Sequence, residues 1–154
     1  MHTEISMFHG ALDESLEALM AALEGLDDTA IHWRPVEGAN SLAVIAKHTL
    51  ANAERNVMNS FLGEPYDYDR PEEFRDTESM SELLDASMAL RERIAKGLET
   101  ARPERLSELV SHARLGMVPG RAVLLQVCRH ANQHVGEAQL TRRLLDAHVA
   151  APGS

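Results

Sequence analysis

Apolar residues recur at alternating steps of three and four along several stretches of the chain, the spacing that gathers them on one face of an α-helix. In the first stretch, Thr3 to Leu26, the seam reads Ile5, His9, Leu12, Leu16, Leu19, Leu23 and Leu26. Asp27, Asp28, the run Trp33-Arg34-Pro35 and Gly38 then interrupt it, and Pro35 disfavours helix at the residue before it. This is a connection, with Trp33 as an anchor over the end of a bundle. Ser41 is a good N-cap for a second helix that runs to about Leu62, where Gly63-Glu64-Pro65 stops it. A third helix spans about Ser79 to Thr100, with Met80, Leu83, Leu84, Ser87, Leu90, Ile94 and Leu98 as its inward set. Pro103 opens a short helix through Leu109, His112 to Pro119 reads as irregular, and Pro119-Gly120 leads into a fourth helix carrying Arg121 to Asp146. Residues 1–148 are expected to form a single domain, with 149–154 as a frayed tail.

Four amphipathic helices with one long connection predict an all-α fold, an up-down four-helix bundle with a long crossover between helices two and three. The crossover, Glu64 to Glu78, is polar and acidic, with two prolines and two tyrosines. Long loops of this kind serve as lids or as solvated connectors, so Tyr66, Tyr68 or Phe74 are candidates to cover a site.

The second helix has two unlike faces. One carries Val44, Ile45, His48, Asn52, Arg55 and Asn59, a mixture too polar for plain core and too apolar for plain surface, as in a cavity wall. The other carries Ala46, Leu50, Val57 and Phe61, an apolar stripe that needs its own partner. A neighbouring subunit would serve, and a homodimer is expected.

On the fourth helix His130 and His134 stand one turn apart, so both imidazoles can reach one metal ion. Val123, Val127, Ala131, Ala138 and Leu145 lie to the same side or one flank, and Gln126, Gln133 and Glu137 to the other. A lone HxxxH equally describes polar residues at the edge of a core. A third ligand decides between the two, and His48 is the candidate. His9, in the seam of the first helix, is either a satisfied core histidine or a group beside the metal or substrate.

Composition narrows the class. With 44% hydrophobic residues but only 4% aromatic, the core is mainly Leu, Ala, Val and Met, which favours helices over a β-sandwich. A net charge of −9 argues against nucleic acid or an anionic membrane as partner, both of which are held through clustered Lys and Arg. The single cysteine, Cys128, excludes an internal disulfide and suits a reducing compartment. It faces away from His130 and reads as a small buried apolar residue. Neither a signal pattern nor a membrane-length apolar run is present, so a cytoplasmic protein with a small-molecule substrate is expected.

The segments LDDTAIHWRP, SLAVIAKHTLANAER and RHANQHVGEAQLTRRLL, in that order and separated by a long loop and a helix, resemble the DinB-like superfamily of metal-binding four-helix bundles. That group includes mycothiol- and bacillithiol-dependent S-transferases and relatives of maleylpyruvate isomerase. The resemblance implies a ligand triad of His48, His130 and His134 for a divalent metal, zinc or nickel first and iron or cobalt as alternatives. It also implies a low-molecular-weight thiol as co-substrate, mycothiol or bacillithiol. The use of only Lys47 and Lys96 against abundant arginine suggests a GC-rich genome, which suits mycothiol. Arg55 and Asn52 would position a polar or anionic group of that thiol, and Glu137 would orient His134 or act as a base. Val135 and Glu137 replace the Arg and Gln of many relatives, which bears on the substrate more than on the metal. Three classes follow: a metal-dependent thiol S-transferase or hydrolase, a metal-binding or stress-response bundle without turnover, and an interaction protein with structural histidines.

Overall fold

The structure, a computed structural model, describes residues 1–67 and 70–151, with Arg70 described in its backbone alone. The elements are α1 (Thr3–Ala21), α2 (Asp28–Ile31), α3 (Leu42–Ala53) continued by a π-helical stretch (Glu54–Phe61), α4 (Arg70–Glu73), α5 (Met80–Thr100), a 3-10 turn (Pro103–Leu106), β1 (Leu109–His112), β2 (Gly116–Pro119) and α6 (Gly120–Ala150). The long helices begin where capping chemistry places them. Ser41 Oγ accepts the Val44 N–H at the head of α3, and Ser79 and Glu82 form a reciprocal capping box at the head of α5.

α1 and α3 lie diagonally across the bundle, each packed between α5 and α6. End-to-end pairs fix the directions. Arg121 at the start of α6 pairs with Glu4 at the start of α1, and Arg142 near its end donates to the carbonyls of Ala22 and Glu24, so α1 and α6 are parallel. Lys47 of α3 pairs with Glu78 just ahead of α5, and Arg93 of α5 with Glu54, so α3 and α5 are parallel too. Arg91 of α5 pairs with Asp13 of α1, and Met80 N–H at the head of α5 reaches Asp28 beyond the end of α1, which makes that pair antiparallel. The path is up, down, down, up. Joining two parallel neighbours, α3 and α5, requires the chain to travel back along the bundle, and the expected crossover does this.

Some expectations are corrected. The stripe Ala46, Leu50, Val57 and Phe61 is buried inside the chain, at 0 to 6% exposure, against the other helices and the 3-10 turn. It needs no second subunit. Leu84 is 42% exposed rather than inward, whereas Leu83, Ser87, Leu90, Ile94 and Leu98 are buried as their spacing demands. His112 to Pro119 is regular: Leu109 pairs with Pro119 and His112 with Gly116 in an antiparallel hairpin, whose turn uses Gly116 at φ 73°. The short helix at Pro103 ends at Leu106, so Leu109 is already strand. α6 runs through Ala150, past Asp146, while residues 152–154 lie outside the described residues. Gly120 is needed where α6 starts, because a Cβ there would sit 2.2 Å from the Arg105 carbonyl oxygen and 2.9 Å from the Phe61 ring. Trp33 anchors the end of the bundle, stacked on His148 at 5.4 Å. Among the described residues no helix is long and apolar enough to cross a membrane.

Candidate metal centre

The antiparallel interface between α3 and α6 brings His48, His130 and His134 together. His48 Nε2 lies 3.2 Å from His130 Nε2, and His134 Nε2 lies 3.3 Å from the same atom. The two outer rings are fixed from behind. Glu73 accepts from His48 Nδ1 at 2.9 Å, and Glu137 accepts from His134 Nδ1 at 2.7 Å. A carboxylate on Nδ1 places the ring proton there and leaves the Nε2 lone pair facing inward. His130 Nδ1, by contrast, is buried without a hydrogen-bond partner.

This arrangement fits a cation. If His130 carries its proton on Nε2, it can donate to one inward lone pair but not both; if on Nδ1, three lone pairs face one another. Either way a repulsion remains that an ion at the common focus removes, and three imidazoles suit a borderline divalent metal. The electrostatics agree, since metal ligation needs neutral rings. Burial, then the neighbouring His134, His48, Arg55 and Arg114, lower the His130 pKa to about 4. Burial also lowers that of His48, against the opposing pull of Glu73.

A cavity of about 150 Å³ opens beside the triad. From α3 it takes Asn52, and from the π-helical stretch Arg55. Asn56 joins them because the wider π turn slips the helical phase, and its Nδ2 donates to the Asn52 carbonyl and Oδ1 at 2.8 and 3.0 Å. Asn59 is turned off this face, donating instead to the Glu64 carbonyl. Gln126 of α6 and His112, Ala113 and Arg114 of the hairpin complete the far walls. Of the crossover residues, Phe74 covers the site, its ring stacked on His48 with centroids 4.9 Å apart. Tyr66 does not line the cavity, and Tyr68 lies outside the described residues.

Two of the other expected groups fall differently. His9 stands beside Asp13, itself bonded to Arg91 of α5, and does not line this cavity, so it is no part of the centre. Glu137 contacts the Nδ1 edge of His134, away from the inward Nε2, which is an orienting position rather than that of a base. Cys128 is half-buried with Sγ directed at the Phe8 carbonyl, and burial pushes its thiol up to about 11. Glu73 is the residue that sequence reasoning missed. It is 4% exposed, held between His48 and Arg55, yet it sits in a segment whose composition reads as solvated. Its position is set by a chain of pairs along the crossover: Glu72 and Glu78 with Lys47, and Asp76 with His32, Arg34 and Ser41.

Comparison with known proteins agrees with this fold. The structure superimposes on a conserved protein from Enterococcus faecalis with a TM-score of 0.75 at 19% identity, covering 96% of this chain and 99% of the other. It also superimposes on YfiT from Bacillus subtilis, described as a probable metal-dependent hydrolase with an unusual four-helix bundle topology, with a TM-score of 0.67 at 20% identity, covering 94% and 90%. No curated protein matches the chain. The family model of the DinB superfamily matches residues 11–138, most of the four-helix bundle together with the triad, and the chain belongs to that superfamily.

Proposed function

We propose that His48, His130 and His134 hold one divalent metal ion and that the protein is a metal-dependent enzyme acting on a small molecule, with S-transfer from a low-molecular-weight thiol as its reaction. The observation that carries the metal is the convergence of three Nε2 atoms, two of them backed by carboxylates on Nδ1. Bound there, a divalent ion supplies Lewis acidity, which lowers the pKa of a bound thiol or water.

The choice of thiol rests on the carboxylates. Among the described residues Glu73 is the one carboxylate lining the cavity, and it is engaged by His48 and Arg55; Glu137 is engaged by His134. Among the described residues no free carboxylate therefore stands ready to take a proton from water. A thiol ionises readily without one. Arg55 and Asn52 line the cavity where they can hold a polar or anionic arm of the thiol. The sulfur attacks the electrophilic carbon, the leaving group departs from that carbon, and the thiol proton passes to solvent. Hydrolysis is the second reading, favoured by the description of YfiT.

The test is turnover of the metal-loaded protein with an aryl halide, with and without mycothiol, bacillithiol or cysteine, alongside ester and amide substrates without thiol. Turnover that needs both metal and thiol is the expected result. Metal-dependent hydrolysis with no thiol requirement would replace the transfer reading by hydrolase, and metal binding without either activity would leave a non-catalytic bundle.

A further inference from the structure

The β1–β2 hairpin brings to the cavity two groups for which the triad has no task, His112 and Arg114. His112 is 6% exposed although Ser111 and Ala113 on either side of it are exposed. Its Nδ1 accepts the backbone N–H of both Arg114 and Leu115, each at 3.1 Å. A ring nitrogen that accepts two such bonds cannot also carry a proton, so the proton is on Nε2. Ionising this imidazole would set an Nδ1–H against two N–H groups and break the turn. Burial, then Arg55 and Arg114, act in the same direction and lower its pKa. What His112 can offer the cavity is therefore a permanent Nε2–H donor.

The company it keeps shares that sign. The chain carries a net charge of −9, yet this wall gathers the guanidinium groups of Arg55 and Arg114 beside the His112 N–H, with Glu73 as the single lining carboxylate among the described residues. A rigid set of donors and cations in a partly desolvated recess is complementary to an oxygen anion. A cavity of about 150 Å³ admits a small fragment and no macromolecule.

We propose that the hairpin turn is the recognition wall of the site, where His112 Nε2–H and the Arg114 guanidinium bind an oxyanionic group, such as a carboxylate, of the small molecule that reacts at the triad. The identification of that molecule as the substrate rests on the metal-dependent function proposed above; the anion binding does not. His112 is a group that contacts substrate in this account, and the Nδ1 bonds are what aim it.

The test uses the full chain, with and without zinc, observed by NMR during titration with sodium acetate and, separately, inorganic phosphate at constant ionic strength. Imidazole 15N signals are expected to show His112 protonated on Nε2 and bare on Nδ1 at neutral pH. Acetate is expected to shift the Ala113 to Leu115 amides saturably in the metal-free chain. In His112→Asn the side-chain oxygen replaces Nδ1 as acceptor for the turn while the Nε2–H is lost, so the hairpin persists and acetate binding weakens about tenfold, as for loss of a hydrogen bond to a charged group. Arg114→Gln, on an exposed turn, is expected to weaken it comparably without unfolding risk. Tighter binding of phosphate than of acetate would assign the wall to a phosphoryl group. Equal acetate affinity in wild type and both variants, or a proton on His112 Nδ1, would overturn the proposal. Metal content measured on the same samples separates the two readings: saturable acetate binding by a chain that takes up no metal would sink the metal centre alone.

Discussion

The bundle has two antiparallel interfaces built on the same helical geometry and filled with opposite chemistry. Between α1 and α5, Leu12, Leu16, Leu90 and Ile94 close into core, and the charged Asp13–Arg91 pair stays nearer the surface. Between α3 and α6 stand the half-buried His48, His130 and His134, with an open cavity alongside. The first interface gains stability from every buried methylene. The second gives some up, burying imidazoles that repel one another and a His130 Nδ1 with no partner. A bundle that tolerates such an interface is using the stability of the other one to hold ligands in place.

That contrast can be broken in three ways, in falling order of effect. Leu16→Ala, at 1% exposure in the first interface, is expected to destabilise the protein by about 2–5 kcal/mol in chemical denaturation, from lost burial plus the cavity left behind. Next comes the support of the rings. Glu73→Gln should weaken metal affinity by about 10–100-fold, measured by competition with a chromogenic chelator. Glu137→Gln should fall at the lower end of that range, because its side chain is 41% exposed and that of Glu73 only 5%. The third concerns the cost of the triad. In metal-free protein His130→Leu is expected to be neutral or to stabilise by up to about 2 kcal/mol, since it removes an unpartnered buried nitrogen; a loss as large as that of Leu16→Ala would show that the histidine is core after all.

A smaller effect tests the clamp that places Glu73. Burial pushes the Asp76 carboxyl up, but bonds from His32, Ser41 and Arg34 outweigh this and its pKa is lowered below the usual 3.8. A carboxylate lowered in the folded state contributes stability that is full above its unfolded value and is lost as pH falls through the folded one. Asp76→Asn should therefore be less stable than wild type at neutral pH, and the gap should narrow below about pH 4 in urea titrations. A gap that stays constant down to pH 2 would place the effect in packing rather than charge.

These two interfaces also explain what the sequence could reveal. Helix faces followed from spacing: Leu12, Leu16 and Leu19 are buried where steps of three and four put them, and His130 with His134 share a face for the same reason. The His134–Glu137 bond spans three residues of one helix and is as legible as the pair itself. The His48–Glu73 bond spans 25 residues and depends on how the crossover folds back along α3. Nothing local in EPYDYDRPEEFRDTE marks Glu73 as buried and its neighbour Glu72 as half-exposed. The hairpin had a weak signal, Leu109-Val110 and Met117-Val118 about the three residues before Gly116, which Pro119 at its end obscured. His9 sat in an apolar seam as His48 did in a mixed face; Asp13 lies one turn away on the same helix, but only the packing of the helices shows that His9 stands off the cavity beside the triad. The π stretch exchanged Asn59 for Asn56 at the cavity, a phase slip that regular periodicity cannot anticipate.

The most direct measurement is the metal content of untagged protein, purified without chelator, beside that of His48→Ala. The wild type is expected to carry about one divalent ion per chain, as for a single three-histidine site, and the variant to lose it while keeping the fold. A wild type that carries no metal and takes up none at micromolar zinc or nickel, or a His48→Ala variant that binds as well as wild type, would contradict it.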